Sequence, residues 1–492
     1  MTNLTPQQQS FIATASDTDS VALRARAGTG KTFSLRQWAS SSRKGGIATS
    51  FSKSTVQELT KKLSSRFPAK TLHALGRSAI KSSGKLGTLD SSKVFNIVND
   101  LVKEHELDYE SAQHIRSLAT IAKTYGIQPD ASGPPGLTPD EPEVWEYFAD
   151  QFDLDLSDLH LDLARQTIIL SNKAAVKDGL IDFDDMLYIP LIYPHRFPRY
   201  PVILADEVQD FNMLQHTMLK RCLLPSGRII AAGDDRQAIY AFRGALSDSY
   251  HSLVKTFKMR ELPLTVSFRC PREVILEAQK YVPDIEPAPS AIQGSILRPD
   301  SITSDELPRT ILCRNNAPLI TLALHLLVEG HSAEVAGKDI GKGLIALTKR
   351  ITKKNLSTPE FLDRLSKWKE REIARYPKRK ARITDKFQAL SVLAGYHKDL
   401  VAIQKHLEKL YPDPSSKSYR PSEFHLTTIH RAKGREWPRV GFLDPHLLPS
   451  KYATQEWEKL QESNLAYVGI TRAQEELVYV NSKAIEGLSD EK

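Results

Sequence analysis

The eight residues ARAGTGKT (25–32) decide how this chain is read. A glycine-rich turn ending in Lys-Thr presents backbone amides to phosphate oxygens, and a helix beginning behind it adds the partial positive charge of its N-terminus. The flanks supply the setting such a turn needs. SVALR (20–24) is a short apolar run ahead of it, and Leu35, Trp38 and Ala39 follow at helical spacing, so the order is strand, loop, helix. In that setting Ala27, Gly28, Thr29 and Gly30 cradle phosphate, Lys31 reaches the outer phosphates and the Thr32 hydroxyl ligates magnesium.

Two further apolar runs end in acids, VILADE (202–207) and IIAAGDD (229–235), each followed by a helix-like segment. This alternation implies an α/β fold built on a parallel sheet with helices on its faces, where ligands sit at the carboxyl ends of the strands. In DEVQD (206–210), Asp206 is placed to hold the metal through water and Glu207 to accept the proton of an attacking water. Acidic pairs at strand ends also act as simple caps. The residues taken alone therefore also admit a P-loop phosphotransferase or a nucleotide-switched clamp.

Composition narrows the classes. The 492 residues are 40% hydrophobic and 26% charged, an ordinary globular balance for about three domains. The first residues, MTNLTPQQQS, lack a basic region followed by an apolar run, and no stretch of about 18 apolar residues occurs, so the expectation is a cytoplasmic protein with no membrane contact. Cys222, Cys270 and Cys313 are too few and too scattered for a disulfide framework or a zinc cluster. Net charge is +8, yet residues 342–386 alone hold 15 Lys or Arg against 5 Asp or Glu, so one segment carries the whole excess. Such a run is either a solvated helical face or a docking surface for duplex nucleic acid or protein.

Helical periodicity fills residues 86–178, with Val94, Ile97, Val98, Leu101 and Val102 behind a cap at Ser91 or Ser92, interrupted by the Pro- and Gly-rich loop 130–143. A second sheet unit is expected from near residue 255, through RTILCRN (309–315), EFHLTTIH (423–430) and ELVYVNS (476–482). The expected division is 1–85 with 179–252 as the first sheet domain, 86–178 as a helical insertion, 253–335 with 421–492 as the second sheet domain, and 336–420 as a basic insertion containing a helix that opens at Thr358-Pro359.

Six stretches in order carry a resemblance: ARAGTGKT, DEVQD, GDDRQAIYAFRGA (233–245), SFRC (267–270), TIHRAKGREW (428–437) and LAYVGITRA (465–473). Together the chain resembles a compact superfamily 1 DNA helicase of the UvrD/Rep/PcrA type. That resemblance implies two RecA-like domains in tandem, each with a mainly helical insertion, and an ATP- and Mg2+-dependent motor moving 3′ to 5′ on single-stranded DNA and opening duplexes at single-strand/double-strand junctions. A milder reading is a DNA-stimulated translocase that remodels protein–DNA complexes without processive unwinding.

By resemblance, Gln8 reads adenine, Phe268 stacks on it and Glu436 meets the sugar, while Gln237, Arg269 and Arg472 sense the terminal phosphate that joins the two domains. The DNA contacts so implied are Phe51, Ser52, Thr71, His73, Tyr240, Phe242, Arg243, Thr428 and His430. Three residues depart from the pattern. Arg26 stands where glycine is usual, Phe33 where arginine is frequent, and Phe242 where tryptophan is usual.

Overall fold

The computed structural model describes residues 4–16, 19–82, 87–152, 154, 156–239, 248–375, 377–413, 416 and 419–488. They fall into two compact units, residues 1–26 with 30–264, and residues 27–29 with 265–492.

Among the described residues of the first unit, five strands form one sheet: β1 (Val21–Ala25), β2 (Ile47–Ser50), β3 (Tyr200–Asp206), β4 (Leu223–Gly233) and β5 (Arg260–Leu264). Their order is β2-β3-β4-β1-β5, and every pairing is parallel. Strands buried on both faces need continuous apolar runs, which is what Val21–Leu23, Val202–Leu204 and Ile229–Ala232 supply. The helix Lys31–Ser41 then lays Leu35, Trp38 and Ala39 on the sheet, and the Trp38 indole donates to the Ala15 carbonyl at 2.7 Å.

The strand β5 corrects the expected boundary. It pairs with β1 from Val21↔Arg260 to Ala25↔Leu264, so residues 260–264 belong to the first sheet and the first unit runs to Leu264. Its polar positions Arg260 and Glu261 hide it from a reading that looks for buried strands, because it is an edge strand with water on one side.

The helical insertion consists of Lys93–Glu104, Tyr109–Tyr125, Pro142–Phe152 and Asp158–Lys173. Val98, Leu101 and Val102 are buried there, with Val94 and Ile97 packed against the same core. Ser92 occupies the cap position, but its hydroxyl is turned to Asp90 and caps nothing. Residues 142 and 143 begin a helix and leave the loop two residues shorter than expected.

In the second unit, β6 (Ser295–Leu297), β7 (Thr310–Cys313), β8 (Ala333–Val335), β9 (Phe424–Thr428), β10 (Trp437–Leu443) and β11 (Ala473–Val480) form a parallel sheet among the described residues, in the order β6-β11-β10-β7-β9-β8. The helices Lys338–Ile351, Thr358–Arg375, Lys380–Gly395 and Leu400–Leu410 make up the basic insertion. Phe361, Leu365 and Trp368 face its core, which is continuous with that of the sheet. Cys222, Cys270 and Cys313 are buried free thiols. Among the described residues no helix is long and apolar enough to cross a membrane.

Candidate nucleotide and nucleic-acid sites

The loop after β1 turns through Gly28 (φ 74°) and Gly30 (φ 80°), left-handed backbone that glycine adopts without penalty. Gly30 is also the position before the helix Lys31–Ser41, so amides gather at a helix N-terminus. Gln8 packs against this turn. A Cβ on Gly30 would lie 3.2 Å from the Gln8 amide nitrogen. The Gln8 side chain is buried because it closes a capping box: its Oε1 accepts from Thr5 N at 3.0 Å while Thr5 Oγ1 accepts from Gln8 N at 3.2 Å.

Lys31 and Thr32 each face an acid from the end of β3. Lys31 Nζ lies 2.9 and 3.0 Å from the two Glu207 carboxylate oxygens, and Thr32 Oγ1 donates to Asp206 Oδ2 at 2.9 Å. Burial opposes the Lys31 charge, but Glu207, Asp206 and Asp234 outweigh it and raise its pKa. Burial, then the neighbouring Glu207, pushes Asp206 up to about 6. A buried carboxylate with too little positive charge around it, beside a hydroxyl, is a donor set that fits a divalent cation. Glu207 itself sits in left-handed backbone (φ 57°, ψ 41°), which turns its side chain off the strand axis.

From Glu207 a hydrogen-bonded chain runs into the third acidic stretch. Gln209 Nε2 donates to Glu207 Oε2 at 2.5 Å, and Gln209 Oε1 accepts from Asp234 N at 3.1 Å. Gln237 Nε2 in turn donates to Asp234 Oδ2 at 2.8 Å. Arg26 enters the same cluster, 2.6 Å from Asp235 Oδ1 and 3.3 Å from Asp234 Oδ1. Sequence reasoning named Gln237 but neither Gln209 nor the partners of Arg26; the adjacent acids of GDDRQ were the available signal.

In the second unit Arg269 forms an ion pair with Glu436, and Phe268 beside it is 52% exposed, an open ring face. Arg472 is only 1% exposed. Its guanidinium donates to the Val468 carbonyl at 2.8 Å, the Arg435 carbonyl at 3.0 Å and Thr471 Oγ1 at 3.0 Å. Burial, and then Arg269, lowers its pKa to about 10.

The expected DNA contacts divide into several kinds. Phe51 is exposed at the end of β2. Ser52 caps the helix Lys53–Lys62 by accepting from Thr55 N at 3.0 Å, and Thr71 accepts from Ala74 N at 3.2 Å, so both hydroxyls also hold helix starts. His73 stacks on Phe183, with ring centroids 4.0 Å apart, and burial lowers its pKa to about 4, leaving a neutral ring at pH 7. Phe183 is 57% exposed and was not among the expected residues. Its neighbours fix it: Asp182 and Asp185 exchange backbone–side-chain bonds of 3.0 and 2.8 Å, while buried Lys123 reaches Asp185 at 2.7 Å and Asp182 at 3.2 Å, and Lys93 pairs with Asp185. Tyr240, Phe242 and Arg243 lie outside the described residues.

Thr428 and His430 share a cavity of about 600 Å3 with Arg314, Arg382, Lys451 and Tyr452. Arg314 is held by Glu462 through bonds of 2.7 to 3.1 Å, and Asp385 caps the helix Asn316–Val328 through the Asn316 and Ala317 amides. A second cleft, about 270 Å3, lies in the basic insertion between Arg350, Arg364, Lys367, Trp368 and Arg371.

A glycine loop whose lysine and threonine meet two acids at the end of another strand of the same sheet defines the class as a P-loop nucleotide-binding α/β protein, here with two parallel-sheet units. Residues 4–258 match the UvrD/REP helicase N-terminal domain and residues 248–484 the UvrD-like helicase C-terminal domain. The chain belongs to the UvrD/Rep helicase family. It is 24% identical over 288 residues to the probable DNA helicase II homolog of Mycoplasma pneumoniae, covering 53% of this chain and 39% of that one. It is 25% identical over 318 residues to F-box DNA helicase protein 1 of Schizosaccharomyces pombe (58% and 34%), and 28% identical over 119 residues to DNA helicase II of Escherichia coli (22% and 16%). The matched regions thus span well under half of each of these relatives.

Proposed function

We propose that this chain is an ATP-dependent DNA helicase: a single-stranded DNA translocase, running 3′ to 5′, that acts inside the cell and spends ATP on opening duplexes at junctions. One observation carries the reading: Lys31, Thr32, Asp206 and Glu207 meet in bonded pairs at the head of a parallel sheet, in a chain that matches both halves of a helicase family.

In this mechanism the amides of 27–30 and Lys31 hold the triphosphate, and Phe268, Glu436 and Gln8 receive the nucleoside. Thr32 and Asp206 would hold Mg2+, which supplies positive charge to the phosphate oxygens when bound. Glu207 takes the proton of the attacking water. Its link to Gln209 fixes the carboxylate, and its exchange with Lys31 is what an arriving phosphate replaces. Gln237, Arg269 and Arg472 answer the charge that spreads over the transferred phosphoryl group.

On the DNA side, Phe51 and the Phe183–His73 stack offer rings in the first unit, and Thr428, His430, Arg314 and Lys451 line a polar cavity in the second. Rings grip any base and cations grip phosphates, which suits a motor that reads no sequence. The cleft at Arg350, Arg364, Lys367 and Arg371 has no exposed ring among its described lining residues, which favours backbone contact with a duplex arm. The basic insertion, with four helices among its described residues, supports a second reading, a translocase that strips bound proteins without processive unwinding.

The test is ATP turnover with and without single-stranded DNA, then unwinding of 3′- and 5′-tailed duplexes by the same preparation. DNA-stimulated turnover with opening of the 3′-tailed substrate is expected. Turnover indifferent to DNA overturns the motor, and stimulated turnover without strand separation selects the remodelling translocase.

A further inference from the structure

Arg26 is a buried cation inside the nucleotide loop, 4% exposed, at a position where the family pattern has glycine. An arginine taken out of water is stable only if its charge is met, and Asp235 and Asp234 meet it at 2.6 and 3.3 Å. The acids need it as much as it needs them. Asp234 is fully buried, and burial raises its pKa while Lys31 and Arg26 hold it down against the neighbouring Asp235. Two adjacent carboxylates without that guanidinium would repel each other and draw on Lys31, whose field also reaches Asp234.

Asp234 is also the residue that holds Gln237. It accepts from the Gln237 amide nitrogen at 2.8 Å, its carbonyl accepts from Gln237 N at 2.9 Å, and its other carboxylate oxygen accepts from Arg236 N at 3.1 Å. Arg26 therefore grips the carboxylate that holds the Gln237 side-chain amide and the Arg236 N–H. The main chain of Arg26 is fixed as well, its N–H donating to the Leu264 carbonyl at 2.9 Å.

We propose that Arg26 is a positioning residue for ATP hydrolysis: through Asp234 it holds Gln237 in register with the phosphate loop, so that loop and sensor move as one piece. This rests on the assignment of Gln237 to the terminal phosphate. The loop's own backbone does not need the arginine, since Ala27 to Thr32 complete the cradle without it. What Arg26 adds is a rigid bridge between the residues that bind phosphate and the residue that responds to its cleavage.

The experiment is a double-mutant cycle on the full chain: Arg26→Ala, Gln237→Ala and both together, with kcat, KM for ATP, affinity for a non-hydrolysable ATP analogue and thermal melting measured for each. Each single variant is expected to lose roughly 10- to 100-fold in kcat, the scale on which outer partners tune a site, with analogue affinity within a few-fold of the parent. The double variant is expected to be no slower than the slower single, because both changes break the same link. Arg26→Lys, which keeps the charge but not the fork, should recover part of the loss. If Gln237→Ala turns over normally, the sensor assignment falls. If Gln237→Ala is slow while Arg26→Ala is normal, or if the two losses multiply, Arg26 does not act through Gln237 and the proposal is overturned. Loss of analogue affinity in parallel with kcat, with a lowered melting temperature, also overturns it in favour of a purely structural arginine.

Discussion

The two units keep their phosphate-seeking side chains in different ways. In the first, Lys31 is paired with Glu207 and Thr32 with Asp206, so each binding group is held by another member of the same site. In the second, Arg472 is wrapped by two main-chain carbonyls and a hydroxyl of its own unit. Arg269 stands between these cases, paired with Glu436, itself a proposed nucleotide contact. Phosphate competes readily for a lysine held by a single carboxylate, and far less readily for a guanidinium locked among carbonyls. On the proposed roles, the first set is poised to bind, whereas Arg472 has to be released before it can act.

That contrast breaks most sharply at Arg472. Arg472→Ala should cut turnover by about 10³-fold or more while leaving analogue binding within a few-fold. Steady-state kinetics beside equilibrium binding decide it, and equal losses would mean that its carbonyl bonds matter only for folding. Glu207→Gln should lower kcat by about 10²- to 10⁴-fold and retain nucleotide and DNA binding, as single-turnover measurements can resolve. Unchanged kcat would remove Glu207 from proton transfer.

The DNA surfaces sharpen the comparison on a smaller scale. Phe183→Ala should weaken single-strand binding by about 1–3 kcal/mol with little change in its salt dependence, because the substitution takes away a ring and no charge. Changing Arg364, Lys367 and Arg371 to Gln should do the reverse in the second unit: the slope of log affinity for a tailed duplex against log salt falls by about 0.9 for each phosphate that is no longer neutralised. A parental slope would leave that cleft as solvated surface.

The last effect, on stability and not on activity, concerns the ionic base under Phe183. Burial and then Asp182 raise Asp184 to about 6 from 3.8, so between those values the folded chain keeps a proton the unfolded chain has released. Stability therefore falls as pH rises through that window and stays lower above it. Asp184→Asn should be more stable than the parent at pH 7.5, by up to about 3 kcal/mol, and no more stable near pH 3.5; thermal melts at the two pH values check the sign.

What was legible in the sequence followed from local rules. The loop, the acids at strand ends and the apolar runs of β1, β3 and β4 all announce themselves within a dozen residues, and the helix faces of both insertions follow from their period. What escaped depends on partners far away in the chain. Edge strand β5 has no apolar run to mark it, and its membership rests on pairing with Val21–Ala25 across more than two hundred residues. Phe183 resembles any core aromatic until Asp182 and Asp185 are seen anchored to Lys93 and Lys123, which turns the ring outward. Arg26 reads as an irregularity in a motif until its two acids are found 208 and 209 positions on.

One backbone angle sets a trade-off for anyone wishing to toughen this protein. Glu207 occupies left-handed space that costs an ordinary residue roughly 1 kcal/mol and glycine almost nothing. The main chain at that corner is better served by glycine, whereas the proposed chemistry requires a carboxylate. A stabilising screen run without an activity filter would be drawn to this position, and on the proposed role of Glu207 it would return a hardier protein that no longer burns its fuel.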